Sequence, residues 1–461
     1  MCESGIARIL FRIAVISGFT LSLAARAAIL VDCTGVNTTA YPSITAALAA
    51  ATTPIVGANV QVIAGPCTET VNISNRYNLN LGAQLGKTIA LNGKIVIANS
   101  ANVYVYGLNV SNSSSSGIVV TVSRGVTLDT VSSSNNKKHG LAVAGFSDVE
   151  LFGPATFQNN GAYGARVEEQ AAVDIDTTAG ALTVNNNGAG GFFIYNGSGL
   201  TISGTATIEN NGSGGIGHQA GIAVHETSSL QLNDCTGNNL IQGNVNPGIE
   251  VQGGSTASMP ACGAGFTTLI QNNGNNGIAV LLSSEMVING EAQISGSPQA
   301  GVFVDGAASL YLNGPSLITN NGTAGNIETG GVLIGNGSAL EAHHAQVNSN
   351  NGFGFIGFLG GNLNIDGTTA TGNEFGIVGC DSSAWLTTDF PLGPPAIICA
   401  VAEIPSLGSP VKPLNGARPA KPLSPKLMSI EPPDPAAIAE KVTRARVGFW
   451  KAMTAPAAGP R

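Results

Sequence analysis

From Val167 through Val411 the sequence contains no lysine or arginine. A duplex nucleic acid or an anionic polysaccharide needs cationic side chains along its track, so this half of the chain suits neither, and no nucleic-acid partner is expected. Charge is sparse elsewhere too, at 10% of residues, and aromatics make up only 5%. The formal net charge of −8 conceals a split: residues 28–402 carry 7 Lys/Arg against 22 Asp/Glu, whereas 403–461 carry 9 against 4. No C-x-x-C spacing occurs, which removes the common zinc frameworks. The apolar run Ile13-Ala14-Val15-Ile16 to Leu23 is too short to span a bilayer, and no transmembrane span is expected.

Glycine is abundant, 62 of 461 residues, and it is placed periodically. Asn-Asn-Gly is followed within a few residues by Gly-hydrophobic-x-hydrophobic, as in Asn210-Asn211-Gly212 leading to Gly221-Ile222-Ala223-Val224, and Asn272-Asn273-Gly274 leading to Gly277-Ile278-Ala279-Val280. The marker glycine recurs at Gly117, Gly140, Gly164, Gly191, Gly221, Gly248, Gly277, Gly301, Gly331 and Gly376, with a degenerate copy at Gly354. Intervals of roughly 22 to 30 residues are a solenoid period.

Each unit holds three short runs that alternate with period two, which specifies strands rather than helices. In the first run, pairs such as Leu141/Val143, Phe192/Ile194, Ile222/Val224, Ile249/Val251, Ile278/Val280 and Val302/Val304 must face one way. The second run gives Val149/Leu151, Val173/Ile175, Leu200/Ile202, Leu230/Leu232, Met286/Ile288 and Leu310/Leu312, and the third contributes Phe157, Val184, Ile208, Ile270, Ile294 and Ile318. Asn289-Gly290, Asn313-Gly314 and Asp366-Gly367 mark the corner between the second and third runs, where a left-handed backbone is expected. No coil can bury its apolar side alone, so coils must stack about 4.8 Å apart with like side chains on like.

This pattern resembles the right-handed parallel β-helix proteins of the pectate-lyase-like superfamily, which includes pectate lyases, pectin methylesterases and polygalacturonases. The likeness covers Val31 to Gly379 and implies an all-β fold of three-strand coils, about ten or more turns. Tyr41-Pro42-Ser43-Ile44-Thr45-Ala46-Ala47-Leu48 reads as a short helix plugging the N-terminal end. The segment Gly65-Pro66-Cys67-Thr68-Glu69 resembles the opening of such domains, with Cys67 where an aromatic residue is usual. The catalytic patterns of these enzymes are mostly missing. Against the polygalacturonase Gly-His-Gly this chain has Lys138-His139-Gly140, there is no Asp-Asp or Arg-Ile-Lys, and no Lys or Arg lies between Arg166 and Lys412. Gly212-Ser213-Gly214-Gly215-Ile216-Gly217 fits a nucleotide-binding spacing but opens no helix.

Outside the coils, residues 1–27 have the features of a secretory signal: Arg8 and Arg12, the apolar run, then Ala25-Arg26-Ala27. A secreted, periplasmic or cell-surface location follows, with a β-helix domain over 28–402. Six cysteines remain after cleavage, and proximity pairs Cys33 with Cys67, Cys235 with Cys262 and Cys380 with Cys399. The segment 403–461 reads as a Pro-rich basic tail, expected to be flexible, in which 435–453 could form a short helix that contacts an anionic surface or partner.

In the resembled enzymes the active site lies on the outer face of the first strand. Alternation places Arg166, Glu168, Phe193, Tyr195, His225, Glu226, Glu250, Gln252, Phe303 and Asp305 there. Phe193 and Tyr195 offer stacking faces to sugar rings, and His225, Glu250, Gln252 and Asp305 offer hydrogen-bonding or acid–base groups. A second carboxylate pair, Glu150 with Asp174, occupies equivalent outward positions of adjacent second strands, the spacing of a retaining glycosidase. Glu168, Glu169, Asp174 and Asp176 are candidate Ca2+ ligands, and no other cofactor is expected. His343-His344 point to opposite faces. The leading expectation is an exported β-helix protein recognising a polysaccharide or other glycan on this face. The alternatives are a non-catalytic structural or adhesin-like solenoid and a divergent glycoside hydrolase.

Overall fold

The computed structural model describes residues 28–51, 57–233, 237–261, 267–326, 328–379, 384–386 and 397–398. The signal segment 1–27, the Cys235–Cys262 and Cys380–Cys399 pairings and the tail 403–461 lie outside them.

The chain forms an all-β parallel solenoid of about 13 turns, in which strands pair in parallel with their counterparts one turn away. Three sheets run along it. The first stacks the strands that follow the marker glycines, including Ala165–Val167, Phe192–Ile194, Ile222–Val224, Ile249–Val251 and Ile278–Leu281. Register is set by the alternation, since a one-residue slip would turn every inward side chain outward. Ile222 accordingly pairs with Ile249, Ile249 with Ile278, and Ile278 with Val302. In the second sheet Leu200 lies on Leu230 and Met286 on Leu310. In the third Ile270 lies on Ile294 and Ile294 on Ile318. All of these side chains are buried, in one continuous core. Each stabilises the fold by about 1.5–3 kcal/mol relative to an exposed position.

The Asn-Asn-Gly phrase has two separate jobs. Its first asparagine takes the left-handed conformation, with φ 55° at Asn210, 53° at Asn272 and 56° at Asn320, turning the third strand toward the next first strand. Its second asparagine is buried and joins a ladder. Asn211 donates from backbone N and Nδ2 to Oδ1 of Asn244, at 3.2 and 3.0 Å, and from Nδ2 to the Val184 carbonyl. The same bonds link Asn160 to Asn187, Asn187 to Asn211 and Asn244 to Asn273, and Asn321 to Asn350 and Asn350 to Asn373 further on. Ser297 stands between these two stretches, and its Oγ is buried without a partner.

At the corners between the second and third strands the expectation needs correcting. Gly367 is left-handed, with φ 61°, but Gly314 is not. The left-handed turns fall chiefly on the asparagines just described and on residues after the first strands, such as Glu226 and Thr227. There a second ladder runs, in which the backbone N–H of Ser198, Ser228 and Ser255 each donates to the serine Oγ one coil on.

The helix is shorter and later than the sequence suggests, at Ile44–Ala50. Ser43 Oγ accepts from the Ala46 N–H, so Ser43 is the N-cap, while Tyr41 lies outside the helix and is bridged to Val31. Ile44, Ala47 and Leu48 are buried, on a helix that packs against Ile29–Asp32, Ala58–Ala64 and Cys67–Ser74. Cys33 and Cys67 form a disulfide, as proximity suggested.

Candidate functional site

Strand register sets two outward rows side by side on the first sheet. Arg166, Phe193, Ala223, Glu250, Ala279, Phe303 and Leu333 pair in sequence from coil to coil. Beside them run Glu168, Tyr195, His225 and Gln252, whose backbone N–H groups continue the ladder at Tyr195, His225 and Gln252. Of the first-strand residues singled out in the sequence, Arg166, Glu168, Phe193, Tyr195, His225, Glu250 and Gln252 are therefore neighbours.

They fall into two hydrogen-bonded groups joined by aromatic rings. In the first, Arg166 donates from Nη2 to Glu168 Oε2 at 2.7 Å and to the Tyr195 hydroxyl at 2.8 Å, and that hydroxyl donates to the same carboxylate oxygen. The guanidinium also lies over the Tyr195 ring, 5.2 Å from its centroid. The bond to Glu168, with burial, raises the Tyr195 pKa, so the phenol stays protonated.

In the second group His225 Nε2 lies 2.8 Å from Glu250 Oε1, and Gln252 Nε2 lies 2.8 Å from His225 Nδ1. His218 reaches the same carboxylate oxygen, with Nδ1 at 3.6 Å. Burial alone would push Glu250 up, but hydrogen bonds from His218 and His225 outweigh it and hold the carboxyl at about 2. Among the described residues, three ligand-bearing side chains converge within 4.8 Å at two places. One is His218, His225 and Glu250. The other is Cys33, Cys67 and Glu69, where both sulfurs are committed to the disulfide.

Phe193 joins the groups. Tyr163, Tyr195 and His218 all stack on it at 4.9–5.0 Å and within 18° of parallel, and His225 meets it edge-on. The faces of Phe193 that the sequence offered to sugar rings are thus engaged by protein rings, and Tyr195 is covered by Phe193 and Arg166.

Three members of the cluster escaped the alternation argument because they lie on connections rather than strands. His139 and Tyr163 each stand immediately before a marker glycine, Gly140 and Gly164, and His218 stands three residues before Gly221. That offset was the available signal. The Tyr163 hydroxyl accepts from the His218 N–H at 3.0 Å, and the Tyr163 N–H donates to His139 Nδ1 at 3.3 Å. Burial, assisted by Arg166 and Lys138, holds His139 down at about 4.

The remaining candidates lie elsewhere. Asp305 is buried, accepts from Asn336 Nδ2 at 2.7 Å, and is raised by that burial. Phe303 packs in an apolar cluster with Ala279, Leu281 and Leu333. Glu226 is exposed on a left-handed turn. Glu150 and Asp174 are register partners on adjacent coils of the second sheet. Asp174 lines a shallow depression of about 500 Å³ that crosses this face, bordered also by Asp148, Thr201, Gln231, Ser258 and Glu285. Asp176 accepts from the Thr178 N–H and hydroxyl, and Glu168 is held in the Arg166 group. Glu169, like Glu226, is exposed on a left-handed turn. His343 Nε2 lies 2.8 Å from Glu341 Oε1.

No protein-family model matches the chain, and no curated protein matches it. Among solved structures it is similar to the A-module of mannuronan C-5 epimerase AlgE4 of Azotobacter vinelandii, at 14% identity and a TM-score of 0.43, over 83% of this chain and 99% of that one. The A-module of the epimerase AlgE6 from the same organism gives 13% and 0.39, over 75% and 94%. Pectate lyase Pel9A gives 17% and 0.37, over 61% and 78%.

Proposed function

We propose that this is an exported protein that binds a neutral, hydroxyl-rich glycan across the outer face of the first sheet, over the Arg166 and Glu250 groups. The observation that carries the reading is the double row itself. Four coils place guanidinium, carboxylate, phenol, imidazole and amide side by side, each fixed by a neighbour before any ligand arrives, so binding orders little. Such alternating donors and acceptors suit sugar hydroxyls. The only Lys/Arg in the patch, Arg166, is already paired with Glu168, and none follows until Lys412, which favours a neutral chain over a polyanion. Sugar stacking on Phe193, whose faces are engaged by protein rings, is not part of this reading, and neither is a catalytic step. In the same reading the Ile44–Ala50 helix covers the N-terminal end of the solenoid, shielding an edge from pairing with other chains.

A screen against neutral and acidic polysaccharides, with product analysis, tests it. The expected result is retention of a neutral glycan without cleavage, weakened about tenfold or more by Tyr195→Ala and by Arg166→Ala. If no glycan is retained, the non-catalytic structural or adhesin-like reading takes its place. If products appear, the divergent glycoside hydrolase does, with Glu150 and Asp174 the first pair to substitute.

A further inference from the structure

We propose that His218, His225 and Glu250 form a binding site for a first-row divalent cation of the Zn2+ class. The site stands independently of glycan binding.

The first argument is geometric. Around an ion with bonds of 2.0–2.1 Å, tetrahedral donors stand about 3.3 Å apart. Here Glu250 Oε1 lies 2.8 Å from His225 Nε2 and 3.6 Å from His218 Nδ1, and all ligand atoms lie within 4.8 Å of one another. Small side-chain rotations bring two imidazoles and one carboxylate to a common ion. Nitrogen-rich ligation of this kind suits Zn2+ and its neighbours rather than Ca2+, which takes six or more oxygens.

The second argument concerns support. A ligating imidazole ordinarily has its other nitrogen held by a hydrogen-bonding partner, and Gln252 lies 2.8 Å from His225 Nδ1. Without metal, Gln252 donates from its amide nitrogen to Nδ1 and the imidazole proton sits on Nε2, facing Glu250. With metal on Nε2 the proton sits on Nδ1, and Gln252 turns its amide to accept with Oε1. His218 is held by its Phe193 stack and by the Tyr163 hydroxyl. Gly217 makes that approach feasible. It is left-handed at φ 61°, and a Cβ there would come 2.4 Å from the Tyr163 hydroxyl.

The third argument is charge. The Glu250 carboxylate is 13% exposed in a part of the chain without lysine or arginine, and two imidazoles are its partners. A dication supplies the missing positive charge. His218, 39% exposed, leaves the opposite side open, so one position of the ion would face solvent and accept water or an oxygen of a ligand.

The test is titration of the untagged, chelator-dialysed full chain with Zn2+ by calorimetry, with Co2+ absorbance as a report of ligand geometry and Ca2+ for comparison. The expected result is one equivalent of Zn2+ bound and Ca2+ not bound. His218→Gln and Glu250→Gln should each weaken Zn2+ by at least the roughly 10–100-fold that loss of an outer partner costs, and Gln252→Leu should weaken it within that range. His343→Gln should leave it unchanged, and circular dichroism should show the His218→Gln chain folded, its side chain lying on a connection outside the core. Absence of saturable Zn2+ binding, unchanged binding in folded His218→Gln, or loss of binding in His343→Gln would each overturn the assignment.

Discussion

Gly221 and Asn244 sit too close, one coil apart, for Gly221 to carry a side chain: a Cβ there would lie 2.8 Å from Asn244 Nδ2, and only 2.7 Å from the Gly248 carbonyl oxygen. The same relation joins Gly140 to Asn160, Gly248 to Asn273 and Gly301 to Asn321. The marker glycine and the ladder asparagine are thus two halves of one device, repeated along the sheet corner. Gly221→Ala should destabilise by about 1–3 kcal/mol through overpacking. Asn211→Ala should cost about 2–4 kcal/mol, because it strands the donors of Asn187 and leaves the Val184 carbonyl without its side-chain donor. Chemical denaturation followed by far-UV circular dichroism measures both.

The short helix is held at each end by a charged side chain, Glu69 from the strand Cys67–Ser74 and Arg76 from the turn that follows it. Glu69 accepts from the N–H groups of Ile44 and Thr45 at 2.8 and 2.9 Å, and Arg76 donates to the carbonyls of Leu48 and Ala51 at 2.7 and 2.8 Å. Both signs oppose the helix dipole favourably. Glu69→Ala or Arg76→Ala should each cost about 1–2 kcal/mol, and proteolysis near residue 50 should accelerate. Reduction of Cys33–Cys67, which are 34 residues apart, should remove about 2–4 kcal/mol and be read as a fall in midpoint on adding reductant.

Acid should weaken the fold in two windows. His139 is held at about 4 against an ordinary 6.5, so the unfolded chain takes up its proton first as pH falls. Stability from this group is full above 6.5 and declines toward 4. Glu250, held at about 2 against an ordinary 4.5, contributes fully above 4.5 and loses that contribution as pH falls toward 2. His139→Gln should flatten the upper window and Glu250→Gln the lower, in denaturation midpoints measured across pH.

The Arg166 group makes a finer prediction. Tyr195→Phe keeps the ring on Phe193 but removes the hydroxyl between Arg166 and Glu168. Stability should change by no more than about 1 kcal/mol, while glycan affinity should fall by about 3–10-fold. Paired denaturation and calorimetric titration separate the two effects.

Much of this architecture was legible in the chain, because period-two alternation repeated coil after coil leaves one solution for Ile222, Ile249 and Ile278. The same rule put His225, Glu250 and Gln252 on one face. It could not reach His139, Tyr163 or His218, which are positioned by connections whose course depends on neighbouring coils. Nor could it separate the two asparagines of Asn-Asn-Gly. One is selected for a left-handed turn and the next for a buried amide, and both demands favour the same residue type. The left-handed corner expected at Asn313-Gly314 fails for a related reason: Asn-Gly permits that conformation without requiring it.

The most direct measurement of the central claim is a crystal structure with an oligosaccharide of whichever neutral glycan the screen retains. The account expects sugar hydroxyls within hydrogen-bond distance of Arg166, Glu168, Glu250 or Gln252, across the coils that hold Phe193 and His225. Sugar bound in the depression between Asp148 and Glu285 on the second sheet, with the first sheet bare, would contradict it.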